Sequence, residues 1–139
     1  MRRSLMMLIL VASVPALAIA QGVGAQTAKP ALYTTDQANA GAAVYAQSCA
    51  ACHGSQLEGV AAPALKGPAF GDMATAQSLT AGALLDVISN TMPQSDPGSL
   101  KPEEFAAVTA YILQQNGYPA GTVALTKDEA GLKDAKITP

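Results

Sequence analysis

The residues that build metal sites and catalytic centres are scarce in this chain. Its 139 residues include no tryptophan, one histidine and two cysteines, and its arginines are confined to Arg2 and Arg3. A structural zinc site takes four protein ligands, usually cysteine or histidine, so the composition argues against zinc. Without a second histidine or a further arginine, the chain also lacks the distal acid–base groups that a peroxidase uses.

Positive charge and large apolar side chains are also in short supply. Beyond Arg2 and Arg3, six lysines oppose ten acidic residues, a formal charge of −4, so no basic patch suited to nucleic acid remains. Half of the residues are hydrophobic, but alanine inflates that share and aromatic residues make up only 4%. The length predicts one small domain whose core lacks bulk.

The two cysteines and the histidine stand together in Cys49-Ala50-Ala51-Cys52-His53. Cys-x-x-Cys-His is the attachment signal of c-type haem, in which the thiols form thioethers with the haem vinyl groups and the imidazole becomes an axial iron ligand. A thioredoxin-like redox pair would need alternating strands and helices around the motif, whereas these flanks are alanine-rich and helical. A simple disulfide would leave the adjacent histidine unexplained. A buried haem would supply the missing apolar volume.

At these residues the chain resembles the class I c-type cytochromes. The resemblance rests on residues 49–54, 62–65, 91–93 and the helical pattern ending at 111–117, and it covers about residues 34–119. It implies an all-α, cytochrome c-like fold with about three main helices and long loops around one covalently bound haem c.

The resemblance also implies roles for particular residues. Cys49 and Cys52 would attach the haem, and His53 would bind the iron. Pro63 matches a proline whose carbonyl accepts a hydrogen bond from the ligand imidazole, a contact that orients the ring and tunes its basicity. Leu65 is expected either to face the haem or to belong to the core.

The second axial ligand has two candidates. Three of the five methionines lie in the first seven residues, which leaves Met73 and Met92. Met92 lies in an irregular stretch between two predicted helices, where the chain can pass over the far haem face, and Thr91-Met92-Pro93 matches the ligand motif of the family. Placing Met73 across the haem would leave the following helix without a route. Met92 is therefore the predicted iron ligand, and a gap-filling core methionine is the alternative role.

Residues 1–20 have the pattern of a cleaved signal peptide. Arg2 and Arg3 precede a short apolar run and Ala18-Ile19-Ala20, a small-x-small cleavage site. The run is shorter than the roughly 20 residues that span a bilayer, although an uncleaved anchor is an alternative. We predict cleavage after Ala20, or after Ala25 as a second site, and a periplasmic protein without stable membrane insertion.

The mature chain divides into three predicted segments. Residues 21–33 have the composition of a flexible leader, residues 34–119 form the cytochrome c domain, and residues 120–139 form a charged C-terminal extension. Within the domain, helices are predicted from residue 34 or 35 to about 49, from 79 or 80 to about 90, and from 101 or 102 to 116. Glycine and proline predict an irregular loop over residues 54–71. The last helix is expected to cross the first near Gly41 and Tyr45.

The predicted function is electron transfer between redox proteins. With His53 and Met92 both bound to iron, no coordination position is open for a substrate, and transfer of one electron remains. Weak similarity over residues 116–121 favours a quinoprotein dehydrogenase as donor, with an oxidase as acceptor. The alternatives are a haem enzyme or sensor with an open distal site, and a haem subunit fixed permanently to a dehydrogenase.

Overall fold

The computed structural model describes residues 28–128 and 130–139, so the predicted signal peptide lies outside the described residues. Strand-type pairing is limited, in this part of the chain, to two isolated β-bridges, which confirms the all-α prediction. None of the described helices is long and apolar enough to cross a membrane. The helices are α1 (Thr35–Ser48), α2 (Ala50–His53), α3 (Gly67–Ala76), α4 (Ala81–Thr91) and α5 (Pro102–Gln115), followed by a 3₁₀ turn at Ala130–Leu132.

The closest helix packing in the fold joins α1 to α5 at Gly41. A Cβ atom at this position would overlap the carbonyl oxygen of Ala107, so the two backbones touch directly. One turn further along α1, the ring of Tyr45 packs against Tyr111 with 5.4 Å between centroids and a tilt of 50°. The crossing predicted near Gly41 and Tyr45 is therefore confirmed.

Helix α5 ends in the left-handed cap predicted from Asn-Gly. Gly117 has a φ of 76°, a conformation that glycine adopts without a Cβ clash. The Gly117 amide donates to the Gln114 carbonyl at 3.0 Å, and the Tyr118 amide donates to the Leu113 carbonyl at 3.1 Å. This pair of bonds is a Schellman motif, which satisfies carbonyls at the helix end.

Helix α4 follows its predicted pattern closely. The Thr80 hydroxyl accepts a bond from the Ala83 amide at 3.1 Å and caps the helix start. The chain leaves the helix at Met92, and proline follows at once, so the helix cannot continue. The predicted apolar stripe is buried and consists of Leu84, Leu85 and Ile88.

Helix α3 differs from the irregular loop that the sequence predicts over residues 54–71, because glycine and proline are loop signals. Pro68 lies in the first turn of this helix, where a missing amide costs nothing. Phe70 and Ala74, one turn apart, face the core and are buried. Gly71 packs against the C-terminal residue, since a Cβ there would lie 3.1–3.2 Å from Pro139. Tertiary packing therefore outweighs the local sequence signals.

The charged C-terminal extension contributes several side chains to the core. Leu125, Leu132 and Ile137 are each at most 2% exposed. The Gln37 amide group donates to the Leu125 carbonyl and accepts from the Leu125 amide, both at 2.8 Å. Thr34 caps the start of α1 with its hydroxyl oxygen 3.3 Å from the Gln37 amide nitrogen, while the Gln37 side chain binds this distant segment.

Replacing Gly41 with alanine tests the direct contact between α1 and α5. Alanine favours a helix by about 1 kcal/mol over glycine. The added methyl group meets backbone that cannot rotate away, and overpacking of this kind costs about 1–3 kcal/mol or more. We therefore expect G41A to lower the free energy of unfolding, measured by chemical denaturation.

Gly131→Ala is the matched control, because no atom lies within 4 Å of a Cβ built there. Its unfolding free energy should stay within about 0.5 kcal/mol of the original protein. Equal stability of the two variants would contradict the close crossing.

Candidate functional site

The two cysteines lie at the junction of α1 and α2. Cys49 caps the end of α1 and the start of α2, and its carbonyl accepts bonds from the Cys52 amide at 3.1 Å and the His53 amide at 3.0 Å. One helical turn therefore separates the two thiols, which places them on the same side of the chain. Both are free; Cys49 is half-buried and Cys52 is exposed. Burial raises the pKa of the Cys49 thiol.

The His53 ring is buried and one of its nitrogens has a partner. Nδ1 lies 2.8 Å from the carbonyl oxygen of Pro63. Because a carbonyl oxygen only accepts, a hydrogen bond at this distance requires the proton on Nδ1. The other nitrogen, Nε2, then keeps its lone pair and can bind a metal ion.

The loop that carries Pro63 folds back on the carbonyl groups of α2. The Gly59 amide donates to the His53 carbonyl at 2.7 Å. The next three amides, of residues 60 to 62, approach the Cys52 carbonyl at 2.9–3.2 Å. The free carbonyls at the end of this short helix thus receive partners, and the same bonds bring Pro63 to the imidazole.

Leu57 stabilises the inside of this loop, a role that the sequence did not indicate. Its φ of 61° is left-handed, a conformation that costs a branched side chain about 1–3 kcal/mol. The side chain is fully buried, and the Leu57 carbonyl accepts a bond from the Leu65 amide at 2.9 Å. Burial and this bond offset the backbone strain. Apolar character was the only sequence signal at this position.

Tyr45 connects α1 to the start of the same loop. Its hydroxyl donates to the Gly54 carbonyl at 2.7 Å, directly after His53 in the chain. Burial is the main cause that raises the pKa of Tyr45 to about 12, with smaller contributions from Cys49 and Tyr111. The hydroxyl therefore stays protonated and able to donate at neutral pH. The sequence indicated only that this side chain lies in the helix crossing.

The two candidate methionines have similar burial and different backbone contexts. Met92 and Met73 are both half-buried and pack against the core cluster, as Leu65 does. Met73 lies inside α3, where its carbonyl accepts from the Gln77 amide at 3.0 Å. Met92 caps the end of α4, at the start of a turn-rich loop over residues 93–99.

A cleft among the described residues lies away from these side chains. It has a volume of about 810 Å³ and lies between α4, α5 and residues 124–128. Its lining includes Leu85, Leu100 and Phe105, and none of Cys49, Cys52, His53 and Met92. The described residues also contain no group of three or more histidine, cysteine or acidic side chains that could hold a metal ion.

The chemistry of these donors fits a covalently attached haem. Two unpaired thiols one turn apart match the two haem vinyl groups, and an imidazole with a free Nε2 follows the second thiol directly. A haem bound through these groups would supply an iron ion that can exist in two oxidation states, ferrous and ferric.

Comparison with known proteins identifies a cytochrome family. A family model described as "Cytochrome C oxidase, cbb3-type, subunit III" matches residues 36–112. No curated protein matches the chain at a significant level.

Solved structures that are similar to the chain include two dehydrogenases. The sulfane dehydrogenase SoxCD from Paracoccus pantotrophus is 26% identical with a TM-score of 0.53, and the match covers 81% of this chain and 57% of that one. The thiosulfate dehydrogenase TsdBA from Marichromatium purpuratum is 26% identical with a TM-score of 0.45, covering 80% of this chain and 28% of that one. The chain thus spans little more than half of the SoxCD chain.

The family match covers more than half of the 139 residues and encloses the cysteine pair, His53, Pro63 and Met92. The chain therefore belongs to the family of the cbb3-type cytochrome c oxidase subunit III and is a c-type cytochrome.

Proposed function

We propose that this protein carries one electron at a time on a single haem c attached through Cys49 and Cys52. The observation that carries the proposal is the approach of His53 Nδ1 to the Pro63 carbonyl at 2.8 Å, directly after a pair of unpaired thiols. A histidine held in this way presents Nε2 as a metal ligand. The chain has one such motif and one histidine, which supports a single haem.

Attachment requires only the two thiols and the vinyl groups. Each thiol would add across one vinyl double bond of the haem, its sulfur bonding to one carbon and its hydrogen passing to the other. No oxidant or reductant is consumed. The raised pKa of Cys49 keeps this thiol protonated at neutral pH, and Cys52 lies exposed at the surface.

His53 and Met92 are the proposed axial ligands. The hydrogen bond to Pro63 orients the imidazole and raises its basicity, which favours binding of iron through Nε2. Met92 is preferred over Met73 because it stands where α4 gives way to a loop, and a loop can direct a side chain across the haem. Filled axial positions leave electron transfer as the remaining chemistry, and a soft thioether ligand raises the reduction potential.

The electron is expected to pass through the surface beside Cys52. Glu58 is the one charged residue between positions 50 and 65, and the other exposed residues near this cysteine in the chain include Ala51, Val60, Ala61 and Pro63. These four carry no charge, and Val60 is 74% exposed while its amide contacts the Cys52 carbonyl at 3.2 Å. An uncharged surface of this kind suits a brief encounter with a redox partner, since such contacts are small.

The proposed setting is the periplasm, between a dehydrogenase and an oxidase. The pattern of residues 1–20 supports export, and the family description names an oxidase subunit. For the donor, the similarity to SoxCD supports a sulfur-compound dehydrogenase as an alternative to the quinoprotein dehydrogenase suggested by the sequence.

Stopped-flow reduction by each purified dehydrogenase would decide between these two donors. Co-elution of the native protein with one dehydrogenase would indicate a fixed subunit.

Mass spectrometry of the native protein under denaturing conditions tests attachment and export together. We expect one haem retained on a polypeptide that begins at Gln21, or at Gln26 if the later site is cleaved. Haem that is released by acid–acetone extraction would contradict the thioether bonds. A retained Met1 on membrane-bound material would instead replace the exported carrier with an anchored protein.

Replacing Met92 with alanine tests the second iron ligand. The variant should lose the weak sulfur-to-iron absorption band at long wavelength, lower its reduction potential and bind carbon monoxide, because the soft ligand is removed. Met73→Ala is the matched control, since both side chains are half-buried. Met73→Ala should keep the absorption band, and its free energy of unfolding should fall by no more than about 2–5 kcal/mol.

The reverse pattern in these two variants would assign Met73 as the ligand. Tight carbon monoxide binding by the unmodified protein would indicate an open site and favour an enzyme or sensor.

Val60→Asp tests the uncharged surface. The electron self-exchange rate, measured by NMR on mixed oxidised and reduced protein, should fall about tenfold, which corresponds to about 1.4 kcal/mol. The reason is that each encounter must desolvate a carboxylate.

Val123→Asp adds the same charge at a site that is 61% exposed and should leave the rate within about twofold. Equal slowing in both variants would show that net charge, and not this surface, controls the encounter.

A further inference from the structure

The loop segment 54–66 carries the Pro63 carbonyl and is hydrogen-bonded at several points to the adjoining helix α2. Among the hydrogen bonds of the described residues, two side-chain bonds join this segment to α1 or to the cap of α5. The Tyr45 hydroxyl donates to the Gly54 carbonyl at 2.7 Å, at the start of the segment. The Asn116 side-chain amide donates to the Leu65 carbonyl at 2.8 Å, near its end. The second tie lies two residues from Pro63.

The position of Pro63 cannot be fixed by a hydrogen bond from its own backbone amide. Pro63 lacks the N–H group, so its carbonyl is positioned by the residues on either side. On one side the Ala62 amide bonds the Cys52 carbonyl at 3.0 Å. On the other side Leu65 is bonded at both backbone groups, from its amide to Leu57 at 2.9 Å and from its carbonyl to Asn116.

Asn116 is itself held in a single orientation. Its side-chain nitrogen also donates to the Ile112 carbonyl at 2.8 Å. Because both partners are carbonyl oxygens, the amide group must present its NH₂ end to them. The backbone carbonyl of Asn116 accepts a bond from Lys29 Nζ at 2.9 Å, which ties the end of α5 to the N-terminal part of the described chain.

We propose that Asn116 is a positioning residue for the hydrogen bond between His53 and Pro63. By fixing the Leu65 carbonyl to the end of α5, it keeps the Pro63 oxygen within reach of Nδ1. Asn116 therefore acts on the iron through the basicity of the imidazole. This inference rests on the proposed haem ligation by His53.

The direction of the effect follows from the charge on the imidazole. A strong bond from Nδ1–H to the Pro63 carbonyl increases electron donation from the ring and favours ferric iron. Loss of the Asn116 amide loosens Pro63 and weakens that bond. Ferrous iron then becomes more stable relative to ferric iron, so the reduction potential rises. The proton on Nδ1 also becomes more accessible and exchanges faster with solvent.

The test uses two variants of the full haem-loaded protein, Asn116→Ala and Asn116→Leu. Leucine is similar in shape and adds no charge, but it has no NH₂ group to donate to the Leu65 carbonyl. The measurements are the reduction potential, the NMR exchange rate of the His53 Nδ1 proton, and the melting temperature. The control is Gln37→Ala, which removes a comparable tie of two 2.8 Å bonds to the Leu125 backbone, remote from this loop.

We expect both Asn116 variants to raise the reduction potential and to speed Nδ1 proton exchange several-fold. Gln37→Ala should lower the melting temperature without changing either quantity. Unchanged potential and exchange in both Asn116 variants would overturn the inference alone, as would equal shifts in the control. A protein without covalent haem would overturn the proposed function, and this inference with it.

Discussion

The direct contact of α1 and α5 at Gly41 is the constraint on which the rest of the structure depends. Only a residue without a side chain allows the two backbones to touch there, and no flexible group lies at the contact to absorb an added atom. The crossing sets the relative positions of two helices whose far ends both reach the same loop. Tyr45 of α1 bonds the start of that loop, and Asn116, which caps α5, bonds its end.

The loop between the Tyr45 and Asn116 bonds positions the carbonyl oxygen that contacts His53. It has no regular secondary structure before α3, so its amides and carbonyls need other partners. The exposed carbonyls at the end of α2 supply several of them, and Leu57 accepts another bond at the cost of a left-handed conformation. The result is a carbonyl oxygen at 2.8 Å from His53 Nδ1, a contact that leaves one imidazole nitrogen free for iron.

The small core explains why the terminal segments matter. With only six aromatic residues in the chain, the helices alone bury little large apolar surface. Leu32 and Tyr33 before α1, and Leu125, Leu132 and Ile137 after α5, complete the cluster from outside the helices. Segments that read as a leader and an extension therefore contribute packing that a haem protein of this size needs around its site.

The sequence by itself determined the attachment motif, three of the helices and the helix-ending signal at Asn116-Gly117. These features are local: Cys49 to His53 lie within five residues, and Thr80, Gly117 and the apolar stripes act within one or two helical turns. Pro63 was matched through family resemblance, and the structure places its carbonyl beside the ring.

Tertiary structure alone decided what depends on residues far apart in the chain. Helix α3 forms despite its loop-like composition, because Phe70 and Ala74 find a buried face. Gln37 bonds Leu125 across 88 residues, and Asn116 bonds Leu65 across 51. No local pattern encodes such pairs, since their bonding depends on where distant segments come to lie after α1 and α5 have packed.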